Sequence, residues 1–215
     1  MEELKSKSEQ PSEAEICEKV DITQGYIKTA IPYTRLYHTL ITPKPELVAE
    51  RKGIKCSVLI FHGFAENSSS SIQMATHLAI EGTFECHLID FHGFGYSTGV
   101  RGYADLIELQ HDIVALIAEV VKRNTSRNLA LPTFIIANSY AANVAAGLLI
   151  NNPDMLLAGV VMCSPAFSTH YQYSQLSFYE KILHLYIYPL VQVLKYLAYP
   201  VENKADAIPR SRTSG

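Results

Sequence analysis

The sequence has little of what marks metal, redox or nucleic-acid chemistry. Its four cysteines, Cys17, Cys56, Cys86 and Cys163, include no Cys-x-x-Cys pair. That removes the zinc-ribbon and thioredoxin-type readings. Cys56, Cys86 and Cys163 lie in apolar segments and read as reduced core thiols, which points to a reducing compartment such as the cytosol. Eight histidines are spread without ligand spacing, and no His-Glu-x-x-His occurs, so no metal is expected. Eighteen Lys and Arg stand against 21 Asp and Glu, a net charge of −3. They form no basic stripe, so the electrostatic footprint of a nucleic-acid binder is missing. There is no Gly-Lys-Ser/Thr phosphate loop. Gly93, Gly95 and Gly99 are spaced Gly-x-Gly-x-x-x-Gly, one residue too long for a dinucleotide loop, and no helix opens inside them. No cofactor is expected. No uncharged apolar run reaches bilayer length; residues 133–150 come nearest, interrupted by Asn138, Ser139 and Asn143.

What is present is an alternation of strand and helix signals. Residues 1–24 read as a polar tail: the first nineteen are rich in Glu, Lys and Ser and have no apolar leader core. Tyr33 to Ile41 reads as an early strand stopped by Pro43 and Pro45. Cys56 to Phe61, Phe84 to Asp90, Thr133 to Ile136 and Leu157 to Cys163 are short apolar runs, the pattern of strands covered on both faces. Ser71 to Ile80 is helical by periodicity, with Gly82 as the stop. Asp105 opens a longer helix with Glu108 at capping-box distance. In that helix Leu106, Leu109, Ile113, Leu116, Ile117 and Val120 fall on one stripe. A further helix follows Ser139 and stops at Asn151-Asn152-Pro153. Strands alternating with helices imply an α/β architecture, a mostly parallel sheet with helices on both faces. Ligands then gather at the carboxyl ends of the strands.

Three motifs fall at such ends. The first is His62-Gly63-Phe64-Ala65-Glu66. The second runs Asp90-Phe91-His92-Gly93-Phe94-Gly95-Tyr96-Ser97-Thr98-Gly99-Val100-Arg101. The third is Ala137-Asn138-Ser139-Tyr140-Ala141. Taken alone, a serine before a helix is read as an N-cap. With the two upstream motifs in order, Ser139 reads instead as a nucleophile elbow, whose strained turn lifts the serine oxygen toward substrate.

The ordered trio resembles the α/β-hydrolase superfamily, and more narrowly its monoacylglycerol lipase branch, grouped with serine aminopeptidase-like hydrolases. Asp90 to Arg101 matches that branch in full and His62 to Glu66 in pattern. In the third motif only the serine matches: Ala137 and Ala141 stand for glycines and Asn138 for histidine. Asn67 also stands where a histidine follows Glu66. The resemblance covers about residues 25 to 210.

The resemblance implies acyl transfer through Ser139, with the oxyanion held by the backbone N–H groups of Phe64 and Tyr140. It implies a small lipid ester as substrate. The triad acid and histidine of the family come from strands beyond Cys163, and neither is present in this chain by this reading. Asp154 is expected at the opposite sheet edge and Asp206 in a polar tail. His170 follows the fourth apolar strand, and His184 sits on the lid helix. The implied organisation is a hydrolase core over 25–168, the start of a lid over 169–200 and a polar tail over 201–215. The fold is accordingly read as incomplete at its carboxyl end, lacking the last strands and part of the lid. The tyrosines of Phe178 to Tyr188 read either as core-facing or as a lid lying on a membrane surface. Two further readings stay open: a catalytically inactive relative that binds a lipid or a protein, and a fragment with an unpaired strand edge that does not fold stably.

Overall fold

In the computed structural model of the chain the described residues are 18–29, 34–103 and 105–165, with Ser177 and Leu190. The chain divides into two compact units, Met1–Phe167 and Ser168–Gly215; every element below belongs to the first. Apart from Leu190, the apolar stretch at 178–199 lies outside the described residues, as do His170, His184 and Asp206.

Six strands form one sheet: β1 (Val20–Lys28), β2 (Arg35–Pro43), β3 (Ser57–Phe61), β4 (Glu85–Ile89), β5 (Thr133–Asn138) and β6 (Gly159–Cys163). Their spatial order is β1-β2-β4-β3-β5-β6. The pairs β4–β3, β3–β5 and β5–β6 are parallel, whereas β1–β2 and β2–β4 are antiparallel. The helices are α1 (Pro45–Glu50), α2 (Ile72–Gly82), α3 (Leu106–Ser126) and α4 (Tyr140–Asn151), with a 3-10 turn at Ser68–Ser71 before α2. No helix among the described residues is long and apolar enough to cross a membrane.

The central strands are apolar on both faces because both faces are covered. Leu59, Phe61, Ile89 and Ile135 pack with Leu109, Ile113 and Leu116 of α3 and Val144 and Leu148 of α4. The alternate residues Val58, Ile60, Cys86 and Leu88 pack with Ala75, Ala79 and Ile80 of α2. Burying each large aliphatic side chain contributes roughly 1.5–3 kcal/mol, so these two layers fix which face each strand presents.

The structure corrects the sequence reading at several points, the first being that β2 runs through Pro43, the residue expected to stop it. Residues 20–24, assigned there to the polar tail, form the first half of β1. Only Val20 and Ile27 of that strand are buried, so an edge ribbon with a polar outer face hid its β character. The left-handed residue that ends α2 is Thr83, at φ 55°, rather than Gly82. Gly82 is needed for space: a β-carbon there would stand 2.5 Å from the Phe84 ring. Cys163, read as a core thiol, is exposed, while Cys56 and Cys86 are buried. Burial pushes the Cys56 and Cys86 thiols up to about 11 and about 12.

A charged cluster closes the amino-terminal edge of the sheet. Glu85 is fully buried. It meets Arg123 Nε, Arg127 Nη1 at 2.8 Å and His87 Nε2 at 3.3 Å. Burial alone would raise its pKa. His87, Arg123 and Arg127 outweigh burial and bring it to about 2.

Candidate active site

The parallel register brings the motif-bearing loops to one edge. Phe61 is level with Ile89 on one side and with Ala137 on the other, and Ala137 is level with Met162. The residues that follow these positions leave the sheet together. Left-handed backbone occurs there: Ala65, Ser139 and Ser164 have φ values of 61°, 50° and 47°, and Gly93 and Gly95 are also left-handed. Non-glycine residues held in such conformations need a surrounding structure that fixes them.

Ser139 joins β5 to α4, with φ 50° and ψ −112°. Its N–H donates to Cys163 O at 2.8 Å, and its carbonyl accepts from Ala142 N–H at 3.1 Å. Its side chain makes no capping bond to the helix it precedes. A serine kept for capping would spend its oxygen on the N–H two or three residues on. The elbow holds the hydroxyl away from that role. Ala137 and Ala141, which stand where the family has glycines, are both fully buried. Their methyl groups are absorbed into the layer between the sheet and the helices α3 and α4.

The proposed oxyanion residues are neighbours. The Phe64 and Tyr140 rings meet edge to face with centroids 5.9 Å apart, and Phe64 also meets Phe94 at 5.7 Å. Contacts of this geometry add about 0.5–1.5 kcal/mol beyond area burial. The helix that begins at Tyr140 directs its positive end toward the same place. Burial raises the Tyr140 phenol, and Asp105 adds to this.

His62 is a staple between loops. It is buried; Nδ1 lies 2.8 Å from Gly63 O, and Nε2 accepts from Phe91 N–H at 3.0 Å. Those partners require the neutral tautomer with hydrogen on Nδ1. Burial lowers its pKa, in keeping with that form. Asp90 is also fully buried. Its Oδ1 accepts from Ser68 N–H at 2.7 Å and its Oδ2 from Tyr96 N–H at 2.8 Å, while its carbonyl accepts from Ser97 Oγ. The second motif is thus a loop wound around one carboxylate.

His92 is held by two acids that sequence reasoning did not connect to it. Its Nδ1 lies 2.7 Å from Asp112 Oδ2 and its Nε2 3.1 Å from Glu108 Oε2, and its own N–H donates to Asp112 at 2.9 Å. Burial lowers its pKa, but the two carboxylates outweigh burial and hold it above the ordinary histidine value. Asp105 caps α3 as expected, accepting from Ile107 and Glu108 N–H. Glu108 does not complete a capping box; its carboxylate is turned to His92 instead.

Asn67 and Asn138, which replace histidines of the family pattern, have positioning contacts. Asn67 Oδ1 accepts from Ser69 N–H at 2.9 Å and starts the 3-10 turn. Asn138 Nδ2 reaches Glu66 Oε2 at 3.5 Å. Asp154 lies exposed in the turn between α4 and β6, away from the edge that carries Ser139.

A mixed sheet with α/β crossovers, a strained serine between strand and helix, and His-Gly and glycine-rich loops at the same edge define an α/β-hydrolase. The chain belongs to the serine aminopeptidase, S33, family, whose model matches residues 52–214. Among solved structures it is similar to a highly thermostable carboxyl esterase from Bacillus coagulans, at 18% identity, 82% of this chain, 51% of that one and a TM-score of 0.57. It is similar to a soluble variant of monoglyceride lipase from Saccharomyces cerevisiae, at 15% identity, 70% of this chain, 48% of that one and a TM-score of 0.58. It is also similar to the esterase EaEST from Exiguobacterium antarcticum, at 17% identity, 67% of this chain, 46% of that one and a TM-score of 0.52. The chain spans about half the length of these structures. At such identities the likeness establishes the fold. No curated protein sequence matches the chain.

Proposed function

We propose that this chain is a serine hydrolase that cleaves carboxylic esters of lipids, of the monoacylglycerol type, through an acyl-Ser139 intermediate. In that reaction Ser139 Oγ attacks the ester carbonyl. The Phe64 and Tyr140 N–H groups receive the oxyanion, the alcohol leaves, and water releases the acid. The observation that carries the reading is the left-handed Ser139, whose hydroxyl does not cap α4. On this reading residues 169–200 begin a lid that brings peripheral contact with a membrane surface.

A second reading is favoured by one observation. Among the described residues, the histidines of the carboxyl-edge loops, His62 and His92, have both ring nitrogens engaged. Neither is free to deprotonate Ser139, and a serine hydroxyl needs a base within reach to become a strong nucleophile. This favours a relative that binds a lipid ester or a protein without turning it over. A fluorophosphonate probe separates the two. Covalent labelling of the folded chain, mapped to Ser139 and lost in Ser139→Ala, supports the hydrolase. A cooperatively melting chain that stays unlabelled supports the binder.

A further inference from the structure

We infer that Glu66 is the positioning residue of the oxyanion loop, fastening it to the end of β5 through Asn138. The inference rests on the serine-hydrolase reading and names a regulator of its geometry. Oε2 of Glu66 accepts from Gly63 N–H at 3.1 Å and from Ser70 Oγ at 3.3 Å, and lies 3.5 Å from Asn138 Nδ2. One oxygen therefore ties three segments: the loop after β3, the 3-10 turn before α2, and the last residue of β5. Gly63 immediately precedes Phe64, and Asn138 is one residue before Ser139. The tie thus links the two backbone segments that hold the proposed oxyanion donors.

Gly63 is packed closely against the tie. A β-carbon on Gly63 would stand 3.3 Å from Glu66 Oε1 and 3.4 Å from Asn138 Nδ2. The carboxylate and the amide fill the gap between the loops, and the glycine admits them. A carboxylate is a stronger acceptor than a neutral oxygen, so Glu66→Gln keeps the shape while weakening all three bonds and placing an amide where one acceptor stood. Asn138 provides its donor at every pH. A histidine there would offer a donor to the same carboxylate whose strength changes with protonation.

The test is the rate of fluorophosphonate labelling at saturating probe, together with amide hydrogen exchange at Gly63, in the full chain. Small displacements of a catalytic donor cost roughly 10- to 100-fold in rate. Glu66→Gln and Asn138→Ala are each expected to slow labelling about tenfold with unchanged initial probe affinity. The double variant is expected to be no slower than the slower single one, because the two act through one tie. Asn138→His should restore the rate and give it a new pH dependence near the histidine range, which a packing defect would not produce. Gly63 exchange should accelerate in both single variants. Single variants that label at the native rate, or a double variant whose loss is the product of the singles, overturn the inference. If the native chain is unlabelled, the hydrolase reading fails by itself. Unchanged Gly63 exchange in the variants then overturns the tie separately.

Discussion

Gly95 and Asp90 are packed so closely that a β-carbon on the glycine would stand 1.9 Å from Asp90 Oδ2. Gly95 also has φ 48°, so both the space and the backbone conformation demand glycine. The same carboxylate oxygen accepts the Tyr96 N–H. The glycine-rich motif is therefore a wrapping for a buried acid rather than a phosphate cradle.

Gly95→Ala is expected to destabilise the chain by about 3 kcal/mol or more, since left-handed strain adds to displacement of a buried carboxylate. Asp90→Asn should cost about 1–3 kcal/mol, because an amide nitrogen replaces one of the oxygens that receive Ser68 and Tyr96 N–H. Urea midpoints measure both. A native midpoint for Gly95→Ala would contradict the packing described.

The elbow predicts an inverted order of small residues at position 139. In ordinary backbone, alanine is favoured over glycine by roughly 0.5–1 kcal/mol. At φ 50° and ψ −112° the strain falls on any residue with a β-carbon. Ser139→Gly is expected to be about 1 kcal/mol more stable than Ser139→Ala, read from paired denaturation curves. The usual order would mean that the turn is relaxed.

His92 gives stability a dependence on alkaline pH. Its folded pKa lies above the unfolded value because Asp112 and Glu108 outweigh the effect of burial. Its contribution is complete below about pH 6.5 and falls as pH rises through the folded value. The stability advantage of the native chain over His92→Gln should therefore shrink as pH rises above the ordinary histidine range. An advantage that grows over that range would reverse the assignment.

His38 acts in the opposite direction. Burial, His87 and Arg123 depress its pKa to about 3, against a smaller opposing effect of Glu85. Its ring stacks on His87, with Nε2 3.2 Å from His87 Nδ1. The folded chain keeps His38 neutral while the unfolded chain takes up a proton below about pH 6.5. Stability is lost as pH falls from there toward 3, at about 1.4 kcal/mol per pH unit for each proton withheld. His38→Gln should flatten the acid limb between pH 6 and pH 4 by about one proton's slope. An unchanged limb would show that the imidazole is solvated.

Much of this arrangement was legible in the chain itself. The apolar runs at 56–61, 84–90 and 133–136 and the periodicity of α3 give β3, β4, β5 and their covering helix. The three motifs place Ser139 at the carboxyl edge. Those signals are local: a strand covered on both faces, or a strand followed by small residues and a helix, is written within a dozen neighbouring residues. β1 was not legible, because an edge strand with two buried side chains carries almost no hydrophobic pattern.

What the sequence determined by itself, then, was the alternation of elements and the family they build. The tertiary structure alone decided which polar groups meet. Glu66 and Asn138 are 72 positions apart, and His92 and Asp112 are 20. Such pairs depend on strand register and on how α3 lies across the sheet. Composition cannot signal them, because a buried carboxylate reads like any exposed one until the backbone donors and rings that satisfy it are in place.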